Sequence, residues 1–185
     1  MDGLSFPRYS TAPFPSYRFI PGKSPHPTAH PDGHSYRPAG APEPHVELPR
    51  PEDWSVSDTY LLATDLYNHG YWWEAHETWE ALWQVSDKGG VQGRFLQGLI
   101  QLAACHLKWH MGHLDGVARL RESSLNYLLV AQFDGSAGKY MGLEVTNLCA
   151  AVEIYYADLR QRYPSGGQHD PAAYPYLKLN PRCNA

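Results

Sequence analysis

The sequence predicts an all-α fold, a compact bundle of about five helices behind an extended proline-rich N-terminal arm, on three observations. Twelve of the 16 prolines lie before Trp54, so the rest of the chain is nearly free of proline. From Asp58 onward, apolar residues recur at helical spacing in segments separated by glycine. At 185 residues and 43% hydrophobic, the chain can build one domain with a sizeable core.

Residues 1–54 form the arm. Each proline lacks a backbone donor and pushes its neighbour toward extended geometry, which excludes helix there. The arm carries Phe6, Tyr9, Phe14, Tyr17, Phe19 and Tyr36, an aromatic content unlike that of a disordered linker. These anchors predict partial docking, at least from Tyr17 to Tyr36. The helical domain, 55–163, opens with Ser55 or Ser57 as the cap of a first helix that Gly70 stops. A second helix is expected from about Tyr71 to Val85, and a third from Val91 to about Met111. The third is apolar around most of its circumference, which marks a central element. A fourth is expected from Leu114 to about Ala131 and a fifth from about Tyr140 to Tyr163. Residues 164–185 read as an irregular tail. Gly70-x-Trp72-x-x-Ala75 and Gly112-x-Leu114-x-x-Val117 form a weak repeat that suggests two tetratricopeptide-like hairpins. Two hairpins fall short of a solenoid, so a bundle is favoured over an array.

Net charge is −4 and no basic block breaks it, which removes the footprint expected of a nucleic-acid binder. The N-terminus lacks the cationic flank and apolar stretch of a secretory signal, and no apolar run approaches the ~20 residues of a membrane span. Cys105, Cys149 and Cys183 are odd in number and far apart, and the first two lie in apolar helical patterns, so a cytoplasmic location is expected.

Chemistry concentrates in Tyr71-Trp-Trp-Glu-Ala-His-Glu-Thr-Trp-Glu-Ala-Leu-Trp83. At roughly 100° per residue, Trp72, Ala75, His76, Trp79 and Trp83 share one face, expected to be buried. Glu80 lies one turn beyond His76, and Glu77 lies further out on the same flank. A histidine and a carboxylate at i, i+4 can reach a common point, as a metal ion or a proton-transfer pair requires. On the third helix His106 falls in the apolar arc and is expected to meet His76, with Gln101 or His110 at the edge. The arm adds Pro21-Gly-Lys-Ser-Pro-His26-Pro27 and Pro31-Asp-Gly-His34-Ser-Tyr36, where proline and glycine stiffen the backbone beside each histidine.

The motif Asn68-x-Gly70-x-Trp-x-Glu-Ala-His76-Glu77-x-Trp79-Glu80-x-Leu-Trp83, followed by Gly98-Leu-Ile-Gln101-Leu-Ala-Ala-x-His106, resembles the bacterial family catalogued as domain of unknown function 309. The Pro-Gly-x-x-Pro-His-Pro and Gly-His-Ser-Tyr segments resemble the extension of a proteobacterial branch of that family, and Tyr140-Met-Gly-Leu-Glu resembles its last helix. Gly112-His113 stands where the family more often has Gly-Asn. The resemblance implies a compact helical fold and brings no activity with it.

Two functional readings follow. In the first, His76, Glu80, His106, His34 and His26 are ligands of a divalent iron, manganese or zinc ion, and Glu77 beside His76 is the base of hydrolase-type chemistry on a small substrate. Glu80 stands where a zinc peptidase motif has its second histidine, so mixed-ligand iron or manganese suits the set as well as zinc does. In the second, the protein is a non-catalytic binding or scaffold module, His76 and Glu80 form a structural hydrogen bond, and the arm histidines face solvent. That reading also predicts a large exposed apolar patch on helices two to five, and the tryptophan-rich surface suits a homodimer.

Overall fold

Ser57 decides where the helical domain starts. Its side chain accepts a hydrogen bond from the Tyr60 backbone N–H at 3.3 Å, and α1 runs Asp58–Asn68. In the computed structural model, which describes residues 6–42, 44–134, 138–170 and 172–180, four further helices follow. They are α2 (Trp72–Gln84), α3 (Val91–His110), α4 (Leu114–Asp134) and α5 (Val145–Arg162). A 3-10 turn at Pro51–Val56 precedes them and buries Trp54.

α1 and α2 form one hairpin, α3 and α4 a second, while α2 packs on α3 and α4 on α5. Gly70 and Gly112 turn the two hairpins with φ of 79° and 74°, a left-handed conformation that glycine adopts without strain. Trp79, Trp109, Tyr60, Tyr67, Tyr155 and Phe95 are the largest fully buried side chains. α3 supplies eleven of the buried residues and is the central element. No helix among the described residues is long and apolar enough to cross a membrane.

The region before α5 differs from expectation. Instead of helix from Tyr140, β1 (Lys139–Tyr140) and β2 (Leu143–Glu144) pair antiparallel, with Tyr140 opposite Leu143. The turn residues Met141 and Gly142 both have positive φ, 44° and 80°, which helical periodicity cannot register. Tyr60 holds the turn by donating its hydroxyl hydrogen to the Met141 carbonyl at 3.0 Å. A Cβ on Gly142 would lie 2.6 Å from the Trp54 ring, so an added methyl meets both strain and a clash. Gly142→Ala is therefore expected to destabilise the fold by about 1–3 kcal/mol, seen as a lowered melting temperature.

Two irregular segments complete the core. The arm lies on α1 and α2, where the fully buried Asp65 accepts from the backbone N–H groups of Tyr9 (2.9 Å) and Ser10 (2.8 Å) and pairs with Arg8 at 3.4 Å. Phe14 packs on the rings of His69 and Tyr71, and Phe19 is buried beside Trp73. The tail is irregular yet not peripheral: Tyr174, Leu177 and Leu179 are buried. Asn68 fixes it through two bonds, donating to the Leu177 carbonyl at 3.0 Å and accepting from the Leu177 N–H at 2.9 Å. The Tyr9 hydroxyl accepts from the Leu179 N–H at 3.0 Å, tying arm to tail.

Cys105 and Cys149 are buried free thiols. Burial pushes Cys105 up to about 12 and Cys149 up to about 11, so both act as small hydrophobes. Cys183 lies outside the described residues.

Candidate functional site

The buried face of α2 passes through Trp72, Ala75, Trp79 and Leu82. Leu82 belongs to it and Trp83 is only half-buried, so the centre of the stripe lies on the Ala75–Leu82 side. His76 consequently sits at the margin of the stripe rather than in its middle, with its side chain 31% exposed. There it meets its neighbours one turn on. His76 Nε2 lies 3.3 Å from a Glu80 carboxylate oxygen, and the other Glu80 oxygen accepts from Gln84 at 3.4 Å. One ligand atom each from His76, Glu77 and Glu80 lie within 4.8 Å of one another. Partial burial and the Glu80 and Glu74 carboxylates push the Glu77 carboxyl up, against the pull of His76. An exposed i, i+4 pair contributes little to stability, so His76→Ala is expected to cost under about 1 kcal/mol. That is less than a buried pair would cost.

The other histidines go elsewhere. His106 is fully buried and both its ring nitrogens are engaged, Nε2 with the Tyr67 hydroxyl at 2.8 Å and Nδ1 with the Tyr156 hydroxyl at 2.7 Å. Tyr67 Oη also lies 3.2 Å from the Pro175 carbonyl, to which it donates. One consistent proton arrangement has His106 Nε2–H donating to Tyr67 and the Tyr156 hydroxyl donating to Nδ1. Burial, and His169 beside it, hold His106 well below the usual histidine range. A neutral, fully satisfied ring of this kind is a structural centre and has no lone pair left for a metal. The expected convergence of His106 on His76 does not occur. His110 instead faces Trp72 and His169 at the mouth of a cavity of about 190 Å³.

His34 also has its own partner. Its Nε2 lies 3.0 Å from Glu74 Oε1, and the same oxygen accepts from the Phe19 N–H at 2.7 Å. Both side chains are buried, at 5% and 4% exposure. The second Glu74 oxygen is buried with no hydrogen-bond partner among the described residues. His26 is exposed, with its ring edge-on to Trp73 and tilted on Phe19. His34 and His26 therefore split, one buried against a carboxylate and one open to water.

Residues 60–120, from α1 into the first turns of α4, match the family model described as Domain of unknown function (DUF309). The match covers about a third of the chain and makes that stretch similar to DUF309. No curated protein and no solved structure matches the chain. The DUF309 segment contains Asp65, Asn68, Glu74, His76, Glu77, Glu80 and His106, while His26 and His34 lie outside it. It also omits Tyr156, His169 and Tyr174, which close the network around His106.

Sequence reasoning missed Asp65, Asn68 and Glu74, the three α1 and α2 residues that hold the arm and tail. On a helical wheel each reads as an ordinary polar position, and each is buried only because a distant segment covers it. His169 was likewise invisible in a tail without periodicity. Large exposed apolar residues of the later helices, Leu129 and Phe133 on α4 and Ile154 on α5, are few among the described residues.

Proposed function

We propose that this protein binds a divalent metal ion at the outer edge of α2, through His76 and Glu80, with Glu77 as the adjacent proton-handling carboxylate. The observation that carries this reading is the approach of the three ligand atoms to within 4.8 Å on a partly exposed face. Ligands drawn from a single helix leave most of the coordination sphere to water or substrate, which is the arrangement of a catalytic rather than a structural site. A nitrogen with carboxylate oxygens suits manganese, iron or zinc. A bound ion would supply polarisation of a substrate oxygen and a more acidic water. Glu77, whose carboxyl holds its proton more tightly than an ordinary glutamate, would accept the proton of that water. Hydrolysis of a small substrate is the reaction class that follows.

A second reading is favoured by a separate observation. His26, His34 and His106 do not join the group, and the His76–Glu80 contact alone is an ordinary exposed helix pair. On this reading the protein is a helical binding module.

Metal content by plasma mass spectrometry on untagged protein, before and after reconstitution with manganese or zinc, separates the two. Near-stoichiometric metal is expected in the unmodified chain and in His34→Ala, since His34 is tied to Glu74. His76→Ala and Glu80→Gln are expected to lose it. Absence of metal after reconstitution would sink the metal reading and leave the module.

A further inference from the structure

Away from α2, a cleft of about 530 Å³ opens between α3, α4 and α5. That volume lies in the range of small-molecule sites, roughly 300–1,000 Å³. Trp109 from α3, Leu114 and Val117 from α4 and Tyr156 from α5 give it an apolar lining. Trp109 and Tyr156 are themselves fixed by hydrogen bonds, Trp109 by a partly buried one to the Gln168 carbonyl and Tyr156 by a buried one to His106, so the lining is pre-formed.

Two guanidinium groups line the same cleft, Arg121 from α4 and Arg160 from α5. The Arg121 Nε is buried and has no hydrogen-bond partner among the described residues. A buried, charged donor without an acceptor is costly, and such groups in folded proteins ordinarily have partners. Arg121 and Arg160 also make no salt bridge with any described acidic residue, although Asp115 lines the same cleft. The missing partner is therefore an acceptor with negative charge that enters from outside, with an apolar body to fill the space beyond it.

The geometry points to a binding site for a monocarboxylic acid with an aliphatic or aromatic body, its carboxylate on Arg121 and Arg160 and its body against Trp109, Val117 and Tyr156. A planar guanidinium matches a carboxylate by two parallel hydrogen bonds, which a phosphate-free apolar acid can satisfy fully. Asp115 sets a limit on charge. Two arginines and one aspartate leave the cleft with a single net positive charge, which one carboxylate neutralises and a dicarboxylate over-fills.

The test is calorimetric titration of the full chain at pH 7.5 with octanoate and with 3-phenylpropionate, beside octan-1-ol as the uncharged probe. Both acids are expected to bind one to one, with octan-1-ol at least about tenfold weaker, since a charge-assisted hydrogen bond is worth a factor of ten or more. Arg121→Met keeps the length and apolar stem of the side chain, and is expected to weaken the acids by about tenfold while leaving octan-1-ol unchanged. Arg160→Gln, at an exposed position that folding does not need, is expected to act in the same direction. Equal binding of acid and alcohol would overturn the proposal, as would unaltered acid binding in Arg160→Gln and a folded Arg121→Met. No binding of either acid at millimolar concentration would overturn it too. Metal loading at α2 is independent of each of these outcomes.

Discussion

Asp65→Ala is expected to detach the arm from α1 and to cost about 3 kcal/mol of folding stability, the lower end for breaking a buried ionic contact. Asp65 is fully buried and receives two backbone N–H groups and the Arg8 guanidinium. Removing it leaves the N–H groups of Tyr9 and Ser10 facing an apolar wall, and they recover their hydrogen bonds only by moving into water. The arm then loses its first anchor, while Glu74 still holds Phe19 and His34 further along. Urea unfolding measures the stability. Limited proteolysis locates the effect: new cleavage is expected between Arg8 and Arg18, well before the helices open. An Asp65→Ala chain as resistant as the parent would mean that the aromatic contacts of Phe14 and Phe19 hold the arm without the carboxylate. Arg8→Ala is the useful contrast. Its guanidinium is a third exposed and the two backbone donors remain bonded, so a loss below about 1 kcal/mol is expected.

The difference between these residues also explains what could be read in the chain. The helices were legible because their periodicity is local: Ser57, Gly70 and Gly112 act on neighbours a few positions away, and each turns the chain where its chemistry requires. α3 was legible as the central helix because an almost all-round apolar surface has only one place to go. His76, Glu77 and Glu80 were legible as a group because i, i+4 spacing survives whatever the helix packs against. What spacing could not decide was which flank of α2 faces the core. Leu82 and not Trp83 completes the stripe, a shift of one position that moves His76 to the margin. Contacts between segments far apart in sequence left no local trace. His106 finds Tyr67, Tyr156 and His169 only through the packing of α1, α5 and the tail. Glu74 becomes buried only when the arm arrives from 40 residues away.

That packing gives the fold an acid sensitivity that the sequence alone does not suggest. His169 is held down to about 3, chiefly by burial, with His110 of α3 lowering it further and its hydrogen bond to the His106 carbonyl opposing. Its other ring nitrogen accepts from the Tyr155 hydroxyl at 2.8 Å, so the neutral ring is the one the structure fits. His106, fully buried, is displaced in the same direction. Above the ordinary histidine value of about 6.5 both rings are neutral in the folded and unfolded chains, and neither affects stability. As pH falls through that value, the unfolded chain takes up protons that the folded chain refuses. Stability is then lost progressively from about pH 6.5 down toward pH 3, where His169 finally protonates in the folded state. At pH 5 His169 costs about 2 kcal/mol, set by the unfolded value because its folded value of about 3 lies well below that pH, and His106 adds a loss in the same direction. The His169 share alone is a sizeable part of the 5–15 kcal/mol typical of a domain. Urea unfolding at pH 7.5 and pH 5 should show this fall, and His169→Gln should recover about 2 kcal/mol of the difference while being no more stable at pH 7.5. A fall unchanged in His169→Gln would place the proton uptake on His106 alone. A stability that does not change between the two pH values would mean that both rings accept protons in the folded state, and that the network around His106 opens to water.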